Sequence, residues 1–141
     1  MPDDPGEQFV IDAILTARPP RPPSLVELDA GDDTAIVSHG MLVTTDTLVE
    51  GVHWDHRATA ADVGWKSVTV SVSDIAAMGG LPTWATLSLC LPRPLDTTWV
   101  TDFARGLAQA YISDDVAVNN FFFNVNRSYP KTRLSWLAYS Y

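Results

Sequence analysis

Two periods of hydrophobic and polar positions succeed each other along this chain, and the switches between them mark its elements. From Gly6 to Ala17 the apolar residues Phe9, Val10, Ala13 and Ile14 recur at helical spacing, which predicts a short amphipathic helix. Arg18-Pro19-Pro20-Arg21-Pro22-Pro23 closes it. Proline lacks an N–H and fixes φ, so residues 18–23 are expected to form an extended linker. Gly31-Asp32-Asp33 is a turn signal, followed by the strand Thr34-Ala35-Ile36-Val37, a second turn at Ser38-His39-Gly40, and Met41 to Thr47 as the return strand of a hairpin. Alternation in the return strand puts Leu42, Thr44 and Asp46 on one face and Met41, Val43 and Thr45 on the other.

Between Thr59 and Gly80 the two periods compete. Val68 to Ser73 alternates as a strand would, whereas Thr59 and Asp62 have capping-box spacing and Gly79-Gly80 is a helix stop; the two end signals decide for a helix. On a helical wheel Trp65, Val68, Val72 and Ile75 form one apolar stripe, and Val63, Val70 and Ala77 another nearly opposite. Only Asp62, Lys66, Thr69 and Ser73 remain as a polar strip, so the helix is expected to be buried round most of its circumference, with Asp74 among apolar neighbours. Trp84 to Leu91 alternates as a strand, and Asp96 can cap a further helix carrying Trp99, Phe103, Leu107 and Ala110. This order implies an α/β (α+β) fold, a mostly antiparallel sheet with helices packed on it.

Composition then narrows the function. A chain of 141 residues with 46% hydrophobic positions sustains a core of its own. Its formal charge of −8 speaks against nucleic acid or an anionic membrane as partner and favours cations. The single cysteine, Cys90, excludes an internal disulfide framework, no apolar run is long enough to cross a bilayer, and the acidic start Met1-Pro2-Asp3-Asp4 does not resemble a secretory leader. A cytoplasmic location is expected. The charge is unevenly spread: residues 1–110 carry 15 acids and 6 bases, whereas residues 111–141 carry 2 acids, 3 bases, and 8 of the 14 aromatics. That break divides a body, 1–110, from a tail, 111–141. The tail is either an aromatic final strand pair or a segment of different origin, produced by truncation, frameshift or fusion.

Three acidic features could carry chemistry. Asp32-Asp33 suits a structural turn as well as a functional site, and Asp46 alone is no more specific. Asp74 is different, because an ionised carboxylate among apolar neighbours costs several kcal/mol unless it is partnered, by Lys66, an arginine or a metal ion. Thr44 and Thr45 add hydroxyl and carbonyl oxygens beside Asp46, a donor set that suits Mg²⁺ better than Zn²⁺. His53 is either an ordinary satisfied histidine or, in such a site, a donor to a phosphate oxygen.

Four blocks in order carry a family resemblance: Gly31-Asp32-Asp33-Thr34-Ala35, Thr44-Thr45-Asp46-Thr47-Leu48-Val49-Glu50-Gly51-Val52-His53-Trp54, Val63-Gly64-Trp65-Lys66 and Ser73-Asp74-Ile75-Ala76-Ala77-Met78-Gly79. Over about residues 6–110 the chain resembles the N-terminal domain of the thiamine-monophosphate kinases, in the aminoimidazole-ribonucleotide synthetase-like superfamily. The resemblance implies Mg²⁺-dependent transfer of the ATP γ-phosphoryl group to thiamine monophosphate, giving thiamine diphosphate. It also implies Asp33, Thr44, Thr45, Asp46 and Asp74 as metal-binding positions, His53 at the substrate phosphate, and a homodimer formed through the sheet. A family Gly-Gly-Asp-Thr block has no counterpart after Ala110, and the family's C-terminal domain has none either. The chain is therefore expected to be a truncated kinase of low or no activity, the alternative being a noncatalytic module that binds Mg²⁺-nucleotide or dimerises.

Overall fold

In a computed structural model of the chain, residues 6–18, 26–28, 33–113, 121–126 and 133–140 are described. Asp32 and the proline run after Arg18 lie outside them. Helix α1 spans Gly6–Ala17, as its periodicity predicts, and exposes Phe9, Val10 and Ile14. Strand β1 (Val26–Leu28) precedes the hairpin of β2 (Ala35–Val37) and β3 (Met41–Val49), which turns through Ser38–Gly40. His39 and Gly40 both take positive φ there, 71° and 74°, so the tight reversal uses the left-handed region twice. Helix α2 (Ala60–Ala77), strand β4 (Pro82–Cys90), helix α3 (Thr97–Ser113) and strands β5 (Phe121–Asn126) and β6 (Arg133–Ser140) complete the order.

One six-stranded sheet results, in the order β1-β2-β3-β6-β4-β5. Every pairing is antiparallel except that of β4 with β5. Both strands drawn from the aromatic tail thus lie in the sheet, and β6 separates β3 from β4, pairing Leu42 with Ser140 on one side and Leu89 with Leu134 on the other. On β3, Leu42, Thr44 and Leu48 are buried while Thr45 and Thr47 are exposed, the alternation that a sheet covered on one face requires. On β4, Ala85, Leu87 and Leu89 point to the same core.

Helix α2 covers that face, packing on β3 and β6, and α3 packs on α2. Its start has the predicted capping box. The Thr59 hydroxyl accepts from the Asp62 N–H at 3.2 Å, and the Asp62 carboxylate accepts from the Thr59 N–H at 2.9 Å. Thr59→Ala is expected to lower the melting temperature by roughly 3–6 °C, the scale of one lost N-cap in a domain of this size. A thermal melt followed by circular dichroism measures it. Helix α3 begins as predicted too, with the Trp99 N–H donating to the Asp96 carboxylate at 3.0 Å.

The buried arc of α2 differs from the expectation. Val63, Gly64, Ser67, Val68, Ser71 and Ile75 are buried, whereas Trp65 is 39% exposed and Ala77 is exposed. The reason is the approach of α3. A Cβ added at Gly64 would collide with the Phe103 carbonyl, and one added at Gly106 with the Ala61 carbonyl, so at each contact a glycine of one helix lies against the backbone of the other. The closest approach selects the smallest residues of α2, and a tryptophan cannot occupy that seam.

Candidate functional site

Strand β3 and helix α2 bring Thr44, Asp46, Ser71 and Asp74 together. Thr44 and Asp46 lie two residues apart and so share the helix-facing side of the strand, while Ser71 and Asp74 lie three apart on one side of the helix. Each element's hydroxyl addresses the other's carboxylate. The Thr44 Oγ1 hydroxyl donates to Asp74 Oδ2 at 2.9 Å, and Ser71 Oγ lies a long 3.5 Å from Asp46 Oδ2. Thr44 Oγ1 also lies 3.3 Å from the Asp33 carbonyl oxygen, but one hydroxyl carries one proton and the shorter contact claims it. Both hydroxyls are buried, Ser71 completely, so the carboxylates rest on a dry floor and are themselves half-buried.

That placement has an electrostatic consequence. Burial, and after it the negative charge of Asp74, push the Asp46 carboxyl upward from its ordinary pKa; the Ser71 hydrogen bond and nearby His53 oppose the shift. The partner of Asp74 is accordingly the Thr44 hydroxyl, while Lys66 donates elsewhere, to the His53 carbonyl at 2.8 Å.

The other predicted positions are less convergent. Asp33 is exposed and reaches the cluster through its carbonyl oxygen, and the Thr45 side chain emerges on the opposite, exposed face of β3. Among the described residues no group of three or more His, Cys, Asp or Glu side chains is gathered as a metal cluster. What is gathered is two carboxylates, two hydroxyls and a carbonyl, all oxygen. Hard cations that keep part of their water shell suit such a set, and like-charged carboxylates left together favour a cation between them. The residues present therefore fit Mg²⁺.

Next to this cluster, the turn after β3 borders an open cleft of about 430 Å³ lined by His53, Trp54, Arg57, Asp62 and Lys66, among others. Gly51, at φ 78°, permits the turn, whose Gly51 N–H donates to the Trp54 carbonyl at 2.7 Å. The His53 ring is held from the backbone, its Nδ1 accepting from the Val49 N–H at 2.9 Å. Arg57 is tied to Asp55 by three side-chain hydrogen bonds of 2.7–3.0 Å, which lower the carboxyl pKa of Asp55 and raise that of Arg57. Ser71 and Lys66 are site residues that the pattern did not single out for these roles. Ser71 has a signal in its spacing, three residues before Asp74 on the same helix.

A sheet backed by helices on one face, with paired carboxylates on its helix-facing side and a polar cleft beside them, defines an α/β domain built around an acidic, oxygen-rich site. More particularly, the chain belongs to the family of AIR synthase related proteins, N-terminal domain, whose model matches residues 31–119. It is 48% identical over 83 residues to a thiamine-monophosphate kinase of Aquifex aeolicus (strain VF5), a match covering 57% of this chain and 27% of that protein. Against the thiamine-monophosphate kinase of Escherichia coli (strain K12) it is 41% identical over 86 residues, covering 58% and 26%. Among solved structures it is similar to AaThiL complexed with AMPPCP and TMP, with a TM-score of 0.79, 35% identity, and coverage of 96% of this chain and 41% of that one. Coverage that wide takes in strands of the tail as well as the body. The chain thus spans about two-fifths of that solved relative and matches about a quarter of the curated ones. Among the described residues no helix is long and apolar enough to cross a membrane.

Proposed function

We propose that this chain serves a thiamine-monophosphate kinase, in which the γ-phosphoryl group of ATP passes to thiamine monophosphate and gives thiamine diphosphate. The observation that carries the reading is the Asp46–Asp74 pair, set between hydroxyls and next to a cleft that contains His53. A phosphate attacking a triphosphate meets like-charge repulsion, and Mg²⁺ bound by such carboxylates supplies the compensating charge. Asp46 and Asp74 would hold it, with the Thr44 hydroxyl and the Asp33 carbonyl as further oxygen donors, while the Thr45 side chain faces away from them. Thr44 fixes the orientation of Asp74 through its 2.9 Å bond. His53 would donate a hydrogen bond to the substrate phosphate, and no covalent nucleophile is required.

Because the chain spans only part of these relatives, we assign cation and phosphate binding to the body, 1–110, and little or no turnover to the isolated polypeptide. A second reading, a noncatalytic module that dimerises, is favoured by the face of the sheet opposite α2, where Thr45 and Thr47 are exposed and Met41, Val43, Trp84 and Thr86 are half-buried. A second copy could cover it, giving a homodimer. The test is to incubate the purified chain with ATP, Mg²⁺ and thiamine monophosphate, and to measure cation and substrate binding calorimetrically beside thiamine diphosphate formation. Binding of Mg²⁺ and thiamine monophosphate that Asp46→Ala abolishes is the expected result. Dimerisation with no cation or substrate binding would favour the second reading instead.

A further inference from the structure

Two elements converge on one histidine, β3 on its ring and main chain and α2 on its carbonyl, in a way the proposed chemistry does not use. Val49 clamps His53 twice: its carbonyl accepts the His53 N–H at 2.9 Å and its N–H donates to His53 Nδ1 at 2.9 Å. A backbone N–H can only donate, so Nδ1 bears no proton, and the neutral ring carries it on Nε2. Nε2 is then the ring's remaining polar atom, and it is a donor.

The turn itself is tied from outside. Lys66 stands on α2 one helical turn after Asp62 and lines the same cleft. On an exposed stretch of helix its ammonium would by default extend into water. Instead Nζ lies 2.8 Å from the His53 carbonyl, a charge-assisted bond that gives up rotamer freedom to join the helix to the turn thirteen residues before it.

We infer that Lys66 is a positioning residue: by holding the Gly51–Trp54 turn against α2 it keeps His53 clamped with its proton on Nε2, presenting an N–H donor to a phosphate monoester in the cleft. The inference rests on the reading of His53 as the phosphate contact and adds how that contact is set. Lys66 acts through His53 and is not itself assigned to the reacting atoms.

The test uses the full chain, ¹⁵N-labelled, with long-range ¹H–¹⁵N spectra of the imidazoles and thiamine monophosphate as probe, thiamine and inorganic phosphate serving as controls. Wild type is expected to show the Nε2–H pattern at His53 and a change in its ring signals with thiamine monophosphate but not with thiamine. Lys66→Met is expected to bind thiamine monophosphate about tenfold more weakly, the scale of one charge-assisted hydrogen bond, and to show mixed His53 tautomers at an unchanged melting temperature. Lys66→Arg, whose guanidinium can reach the same carbonyl, should restore the tautomer and bring affinity within about twofold of wild type. A proton on Nδ1 in wild type, or a Lys66→Met protein with wild-type affinity and tautomer, overturns the inference. A His53 that does not respond to thiamine monophosphate in any variant overturns the phosphate reading itself, and the inference with it.

Discussion

Gly106→Ala will cost the domain about 3 kcal/mol or more, at the upper end of what overpacking inflicts and a large share of the stability that a single domain possesses. The added Cβ would meet the Ala61 backbone, lying 2.7 Å from its Cα as well as against its carbonyl. No side-chain rotation relieves a clash with backbone, so α2 and α3 must separate and the core between them must open. Buried Val63, Phe103 and Leu107 lie next to that seam, each contributing roughly 1.5–3 kcal/mol by burial. Gly64→Ala should behave alike, since its Cβ would enter the Phe103 carbonyl. Helix propensity argues the other way, because alanine in a helix interior is better than glycine by about 1 kcal/mol. The sign of the change in a urea titration is therefore decisive, and stabilisation by either substitution would mean that the two helices do not touch there. Gly79→Ala is the control: at φ 72° with open space around it, it meets strain but no collision, and should cost only about 1 kcal/mol.

Asp46→Asn should produce two stability curves that cross as Mg²⁺ is added. In wild type without cation, the folded state holds the Asp46 proton more tightly than the unfolded chain does, because burial and the charge of Asp74 raise its pKa from 3.8. Folding is then favoured by protonation, so stability declines as pH rises from near 4 through the raised value, and the penalty is fully present at neutral pH. Asparagine removes the charge, and the cation-free variant at pH 7 should gain roughly 0.5–1 kcal/mol, the scale of a partly solvated charge interaction, with the decline flattened. Saturating Mg²⁺ should reverse the ranking. A ligand at a hundred times its Kd stabilises the protein that binds it by about 2.7 kcal/mol, and the variant, one carboxylate short, should gain little. Urea titrations from pH 4 to 8, with and without Mg²⁺, measure both halves. A wild type that Mg²⁺ leaves unmoved would count against the cation site, whereas a variant no more stable than wild type without cation would count against the repulsion between Asp46 and Asp74.

Much of this architecture was legible in local pattern, and the exceptions share a cause. The box at Thr59 and Asp62, the stop at Gly79 and the alternation of β3 and β4 are written within a few residues of where they act, and they set those elements correctly. The buried arc of α2 is different: Gly64 looks only weakly apolar in isolation, and the arrival of the Phe103 backbone from α3 makes small size the property that counts there. Similarly, nothing within residues 41–49 or 82–90 indicates that a third strand lies between them. The site divides the same way. Asp46 and Asp74 could be nominated as chemically interesting, but their juxtaposition depends on how α2 crosses β3, and the resemblance rather than any periodicity brought them together. Ser71 escaped, and Lys66 was a candidate partner for Asp74 and not for the His53 carbonyl, because a hydroxyl or an ammonium on a helix ordinarily faces water and their partners are 25 and 13 residues away.

The place of β6 bears on the order in which the protein is made and folds. During synthesis, β3 and β4 leave the ribosome well before β6, which must insert between them and hydrogen-bond to both. Until it arrives, each of those strands presents an unpaired edge, and Asp46 has Trp136 as its cross-strand neighbour only once the sheet closes. Closure joins segments far apart in the chain, the kind of contact that slows folding and prolongs exposure to other chains. The strand that carries Thr44 and Asp46 is therefore among the last to be fully paired, so a nascent chain would acquire its helix pair early and the proposed cation site late.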